Sequence, residues 1–419
     1  MSLSELTTAG VSTPLFALPH LQRTSLALAV RGGPRYDPPG GQGLTHAAEH
    51  LVFRGAGPYP DAAALLSACA ELGAEPSAHT LDDALVICWD VEPAAAAAAV
   101  ALLSEVLLRP RYAGFAAELE VIREELLERL DERGRLTASE DLLREVVFGP
   151  HPLGRPVLGD ELALTRLSQE AVEAWRARMV QAPNLALAAA GPLSPDAWSA
   201  ATAALAHVPA GAALPEPAPP SDLGPAIRFL EVGGSQQVEV ALGFRGPGRD
   251  DPRHPTLEVL LELLDGGPSG PLGAALVDSG LSYDAGAELS SFPDCSLLEI
   301  GFVVARHKLT PALEATAATL AGLTQGVPPA ALERVRRFDA RELRWLRDDP
   351  AGLAELLALN ALRGLPLDPA HAVAARAKVR AEDVQALARE VFDGGRRVAL
   401  VLGSLTPSQR RDARRALEW

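Results

Sequence analysis

A twelve-residue segment recurs in this chain 214 residues later, and that recurrence constrains the fold more than any other feature. Residues 27–38 read ALAVRGGPRYDP and residues 241–252 read ALGFRGPGRDDP. Seven positions are identical: Ala27, Leu28, Arg31, Gly32, Arg35, Asp37 and Pro38 return as Ala241, Leu242, Arg245, Gly246, Arg249, Asp251 and Pro252. The ends of the two halves match as well. Glu170, Val172 and Ala174 fall on Glu382, Val384 and Ala386, and LALAAAGPLSP parallels VALVLGSLTP. A single long repeat of this kind predicts a duplicated domain rather than a stacked array.

Between the halves lies PAGAALPEPAPPSDLGP, residues 209–225, rich in proline and alanine and without periodicity. It reads as a semi-extended linker. The expected organisation is a domain over 1–208, the linker over 209–225, and a second domain over 226–419. In the first half, residues 24–31 read as a strand ending in a Gly/Pro turn, and residues 45–54 and 60–72 have helical spacing. Residues 77–91 are rich in β-formers. Helices are expected over 93–108, 115–133 and near 168–180, with a closing strand at 185–190. This order predicts an α+β fold, two similar sandwiches of a sheet with helices on one face.

With 48% apolar and 22% charged residues and a mean hydropathy of +0.09, the 419-residue chain has the composition of a folded protein. The net charge of −16 argues against nucleic acid and against anionic membrane surfaces. Cys69, Cys88 and Cys295 match no metal spacing and read as small buried hydrophobes in a reducing compartment. Residues 1–10 lack a basic stretch leading into an apolar one, and the most apolar run, 93–108, is too short to span a bilayer. The expected location is the cytoplasm.

The chemistry concentrates in residues 43–57, GLTHAAEHLVFRGAG. His46 and His50 stand at i and i+4, so one helix face carries both imidazoles to one metal ion. Glu49 borders that face. The H-x-x-E-H order is the inverse of the H-E-x-x-H zinc-peptidase helix. Chance would produce two histidines at this spacing with either acid before the second about once in forty chains of this composition. Hydrolytic zinc needs a third protein ligand and an open position. The acidic run ELEVIREELLERLDE, residues 118–132, supplies candidates: Glu118 and Glu125 are seven apart and share a face, whereas Glu124 points elsewhere.

These segments resemble the pitrilysin/insulinase family of zinc peptidases (M16) in its short two-domain bacterial form. The turn at 31–38, the motif helix, ELGAEPSAHTLDDALVICWDV (71–91), ELEVIREEL and HPLGRPVLG (151–159) each resemble a family segment. The resemblance implies two domains of the LuxS/metallohydrolase type and one zinc per chain. It implies His46, His50 and Glu125 as ligands, Glu118 as the residue orienting them, and Glu49 as general base. It further implies peptide substrates added as a strand at the edge containing Ser77 and Ala78, inside a chamber built from two such chains.

Three departures stand out. Ala47 and Ala48 replace bulkier family residues, and Ser77 stands where asparagine is usual. In the second half Tyr283 matches a substrate-binding tyrosine, but the arginine expected seven residues earlier is Leu276 or Val277. At the repeat offset His46, Glu49 and His50 become Leu260, Leu263 and Leu264, so the second half is expected to be inert. The reading is a zinc metalloendopeptidase, assembled as a heterodimer with a paralogous subunit carrying the arginine, or as a homodimer. The alternative is a non-catalytic scaffold or peptide-binding subunit of the same fold.

Overall fold

A computed structural model describes residues 2–232, 236–266 and 270–418. The chain forms two compact units. The first comprises Met1–Glu128, Arg155–Pro217 and Glu342–His371; the second comprises Arg129–Gly154, Ala218–Arg341 and Ala372–Trp419.

The sheet of the first unit contains β1 (Ser2–Ser4), β2 (Thr7–Thr8), β3 (Val11–Ser12), β4 (Leu15–Ala17), β5 (Thr24–Arg31), β6 (Glu75–Thr80), β7 (Ala84–Val91) and β8 (Leu185–Gly191). Its order is β1-β4-β8-β5-β7-β6, with β2 and β3 attached beside β8. The second sheet contains β9 (Ala226–Leu230), β10 (Gln237–Gly246), β11 (Ser282–Ser291), β12 (Ser296–Ala305) and β13 (Val398–Leu402), in the order β11-β12-β10-β13-β9. The paths β4-β8-β5-β7-β6 and β9-β13-β10-β12-β11 are the same topology. In both, the central strand is antiparallel to its two neighbours, and one outer pair is parallel. The duplication read from the sequence is therefore a duplication of fold.

Every residue of β5 but the last is buried, so the strand is covered on both faces, which is why it reads as an apolar run rather than an alternation. On one face Val30, Leu85 and Ile87 line a small apolar cavity with Ala48, Val52 and Val106. On the other, Ala27, Ala29, Ala84, Ala186, Ala188 and Ala190 make a shallow surface. Helix Pro350–Arg363 packs there through Leu353, Ala354, Leu357 and Leu362. Alanines on the sheet let the helix backbone approach closely. That helix is well delimited: Asp349 accepts from Gly352 N at 3.1 Å, Pro350 opens it, and Gly364 closes it at φ 69°.

The second sheet receives the reciprocal element. Helix Ser139–Phe148 packs through Leu142, Leu143 and Val147 against Ala241, Leu297, Val398 and Leu400. The compact units thus do not follow the sequence halves: each takes one helix from the other side of the linker. Both faces of each sheet are apolar and must be covered, and periodicity does not say which sheet a helix covers. Residues 209–225 carry no helix or strand. The stretch is nevertheless anchored: Leu214 is buried, its amide donates to Asn184 Oδ1 at 2.8 Å, and Glu216 accepts from Tyr36 Oη at 2.7 Å.

Candidate metal centre

The H-x-x-E-H segment forms helix Leu44–Leu51. Gly43 precedes it at φ 82°, a conformation that favours glycine, and a Cβ there would meet Leu158 O at 2.6 Å. Leu44, Thr45, Ala47, Ala48 and Leu51 are buried, which fixes the rotation of the helix. His46 is 7% exposed and His50 half-buried, with ring centroids 4.6 Å apart at 70°. The i,i+4 geometry expected from the sequence is present.

Helix Phe115–Glu128 buries Glu118, Ile122 and Leu126, and presents Glu125 two turns beyond Glu118. Glu125 Oε2 lies 3.6 Å from His46 Nε2 and 3.3 Å from His50 Nε2. Among the described residues these three form the one group of histidine, cysteine and acidic side chains able to hold a metal, their ligand atoms lying within 4.8 Å of one another. Glu124 is not in it. Donor atoms around a tetrahedral zinc at roughly 2.0–2.1 Å are about 3.3 Å apart, so the donor set fits that ion in number and type, and the two distances to Glu125 fit it in spacing.

Glu118 accepts from His50 Nδ1 at 3.3 Å through Oε2. Its other oxygen accepts from Arg54 Nη2. Arg54 balances a buried carboxylate that would otherwise be costly, and with Nδ1 against Glu118 the other ring nitrogen of His50, Nε2, faces Glu125. Glu49 is half-buried beside the two histidines and accepts a hydrogen bond from Thr80 Oγ1. Burial pushes the Glu49 carboxyl above the ordinary carboxylate range; the Thr80 hydroxyl and the His50 charge pull it back.

Thr80 belongs to β6, the last strand of its sheet. Alternation puts Ala78 on the Thr80 face and Ser77 and His79 on the opposite one. Ala78 is half-buried and pairs in register with Ile87; Ser77 is exposed and pairs with Cys88. On that opposite face His79 Nε2 lies 3.1 Å from Glu355 Oε1, on the helix contributed by the C-terminal half. The contact raises the His79 pKa and lowers that of Glu355. Tyr283 lies in the second unit on β11 and is 68% exposed. Leu276 is buried and Val277 exposed.

Arg54, Thr80 and Glu355 escaped the sequence reading. Arg54 had a weak signal, standing four residues after His50, although the helix ends at Leu51 before reaching it. Thr80 had a weaker one, two residues after Ala78 on the same strand. Glu355, 276 residues from His79, had none.

Two profiles describe most of the chain: residues 17–161 match "Insulinase (Peptidase family M16)" and residues 166–338 match "Peptidase M16 inactive domain". The chain is 27% identical over 316 residues to an uncharacterized zinc protease of Mycobacterium tuberculosis, covering 72% of this chain and 70% of that protein. It superimposes on the crystal structure of a peptidase M16 inactive domain from Pseudomonas fluorescens with a TM-score of 0.87 at 19% identity, over 97% of this chain and 99% of that one. A protease from Helicobacter pylori gives 0.86 at 17% identity, over 96% and 99%. With its duplicated sheet, its H-x-x-E-H helix and both profiles in sequence order, this chain belongs to the M16 peptidase family.

Proposed function

We propose that the chain is a zinc-dependent endopeptidase, with one zinc held by His46, His50 and Glu125. One observation carries the reading: Glu125 Oε2 lies 3.6 Å from His46 Nε2 and 3.3 Å from His50 Nε2, with a ligand atom of each of the three within 4.8 Å of the others, while Glu49 stays out of that group. Zinc in such a site is a Lewis acid that polarises a carbonyl and lowers the pKa of a water toward 7. Glu118 and Arg54 keep His50 oriented. Glu49 takes a proton from the attacking water and delivers it to the nitrogen of the breaking C–N bond, so that a carboxylate and an amine are released. Thr80 orients the Glu49 carboxylate for this. The substrate is an extended peptide lying as an added strand along β6 past Ser77 and Ala78, a backbone-driven mode that tolerates many sequences. The test is metal analysis of the purified chain with peptide cleavage measured before and after chelation. A chain that holds no zinc, or whose cleavage survives a chelator, overturns the reading.

The working assembly is a cytoplasmic pair of such chains, the partner a paralogue supplying the arginine that Leu276 and Val277 replace. Among the described residues no helix is long and apolar enough to cross a membrane. Peptide hydrolysis by the chain alone and mixed with its nearest paralogue distinguishes this pair from a homodimer. A second reading, a peptide-binding subunit without catalysis, is favoured by one observation, the apolar Leu276 and Val277 before an exposed Tyr283. Zinc content separates the two, since a scaffold needs none.

A further inference from the structure

Helix Leu44–Leu51 has only eight residues, and its N-cap, Gly43, has no side chain to satisfy the first-turn amides. A short helix with an uncapped N-terminus is marginal. This one must nonetheless hold His46, in its first turn, against a ligand on another helix. The cap comes from six residues upstream. Asp37 Oδ2 accepts from Gly43 N at 3.0 Å, and Oδ1 accepts from Thr45 N at 3.2 Å and from Thr45 Oγ1 at 2.6 Å. Thr45 Oγ1 in turn accepts from Gly33 N and from Trp175 Nε1, both at 3.0 Å. Asp37 is 4% exposed and Thr45 fully buried. Burial pushes the Asp37 carboxyl up to about 7, with the Thr45 and Gly43 donors and the Arg155 charge opposing it, so the acid is kept here at a cost.

The repeat supplies an internal control. Asp251 occupies the same place in the second half, before helix His254–Leu264. It is partly exposed, and its carboxylate is taken up by the Arg253 amide and guanidinium. The helix after it carries no metal ligands.

We propose that Asp37 is the positioning residue of the metal-binding turn: its buried carboxylate replaces the missing N-cap side chain and, through Thr45, fixes the height and rotation at which His46 meets Glu125. Only the metal half of the test rests on the zinc reading. Three variants of the full chain, Asp37→Ala, Asp37→Asn and Asp251→Ala, are compared by amide hydrogen exchange without metal and by zinc affinity in competition with a chromophoric chelator. Asp37→Ala is expected to lose protection at residues 45–47 before residues 50–52, and to bind zinc roughly 10–100-fold more weakly. Asp37→Asn, which keeps one acceptor oxygen, falls between it and the parent and carries the test if the alanine variant does not fold. Asp251→Ala leaves both readouts unchanged. Wild-type protection at residues 45–47 in Asp37→Ala, or in Asp37→Asn where only that variant folds, overturns the proposal, as does equal loss of zinc in Asp251→Ala. Lost protection in a chain that binds no zinc upholds the cap and overturns the zinc reading instead.

Discussion

Helix Leu44–Leu51 and helix His254–Leu264 follow corresponding strands of the same sheet topology, yet one carries the two histidines of the proposed zinc site and the other a core. His46, Glu49 and His50 in the first become Leu260, Leu263 and Leu264 in the second, all fully or almost fully buried. The acidic helix changed with it. Glu118 aligns with Leu332, while Glu125 aligns with Asp339, a buried carboxylate paired with Arg376 Nη2 at 2.9 Å. An acid kept inside the fold needs a cation; in the second unit a guanidinium takes that place. The scaffold supports both solutions, so the chemistry belongs to the side chains grafted on it.

The largest effect should come from Glu49→Gln. Removing a general base typically costs about 10²–10⁴ in rate. Because Glu49 lies outside the proposed ligand set, zinc content should stay at the parent level, whereas Glu125→Gln should lose the metal. Peptide hydrolysis and metal content measured on both variants would break the assignment if Glu49→Gln lost zinc and Glu125→Gln kept it.

Next is the contrast at the aligned position. Leu264→Ala empties a fully buried site and should destabilise the chain by about 2–5 kcal/mol. His50→Ala, measured without metal, should cost less, since half-buried His50 is held by polar contacts to Glu118 and Glu125 rather than by filling a core site. Denaturant unfolding of the two variants decides. A larger loss for His50→Ala would mean that the metal helix is also a core helix.

Arg376→Met sharpens the comparison from the second unit. It strands Asp339, whose carboxyl burial already raises and Arg376 holds down. Breaking a buried pair costs about 3–5 kcal/mol, and partly exposed Arg376 should fall near or below the lower end. A carboxyl with a raised folded pKa binds more protons folded than unfolded, so its stabilising effect is greatest in acid and fades as pH rises. The Tm deficit of Arg376→Met should therefore be larger at pH 8 than at pH 5. An equal deficit at both would mean that the lost interaction is packing.

The smallest effect concerns His254. Burial, with help from Arg249, lowers its pKa to about 4, and it lies 2.8 Å from Ser291 Oγ. The unfolded chain binds more protons between that value and about 6.5. This contribution should thus be lost as pH falls through that window, and His254→Asn should flatten that part of the Tm profile. An unchanged profile would assign the acid sensitivity elsewhere.

What could be read from residues alone was whatever local spacing encodes. The i,i+4 histidines, the seven-residue step from Glu118 to Glu125 and the offset of 214 are properties of order along the chain. They prescribe a shared helix face or a repeated unit without reference to anything distant. The grouping of His46, His50 and Glu125 was legible for that reason, although bringing Glu125 to His50 took the resemblance as well as the spacing. Tertiary structure alone decided the rest. Helices Ser139–Phe148 and Pro350–Arg363 are exchanged between the sequence halves because both faces of each sheet needed covering. Thr80 reaches Glu49, Arg54 reaches Glu118, Asp37 caps a helix it does not belong to, and Glu355 meets His79. Each of these is a polar contact of one or a few hydrogen bonds, three in the case of Asp37. Such a contact leaves no periodic trace in the sequence, because its partner is set by how elements pack and not by how residues follow one another.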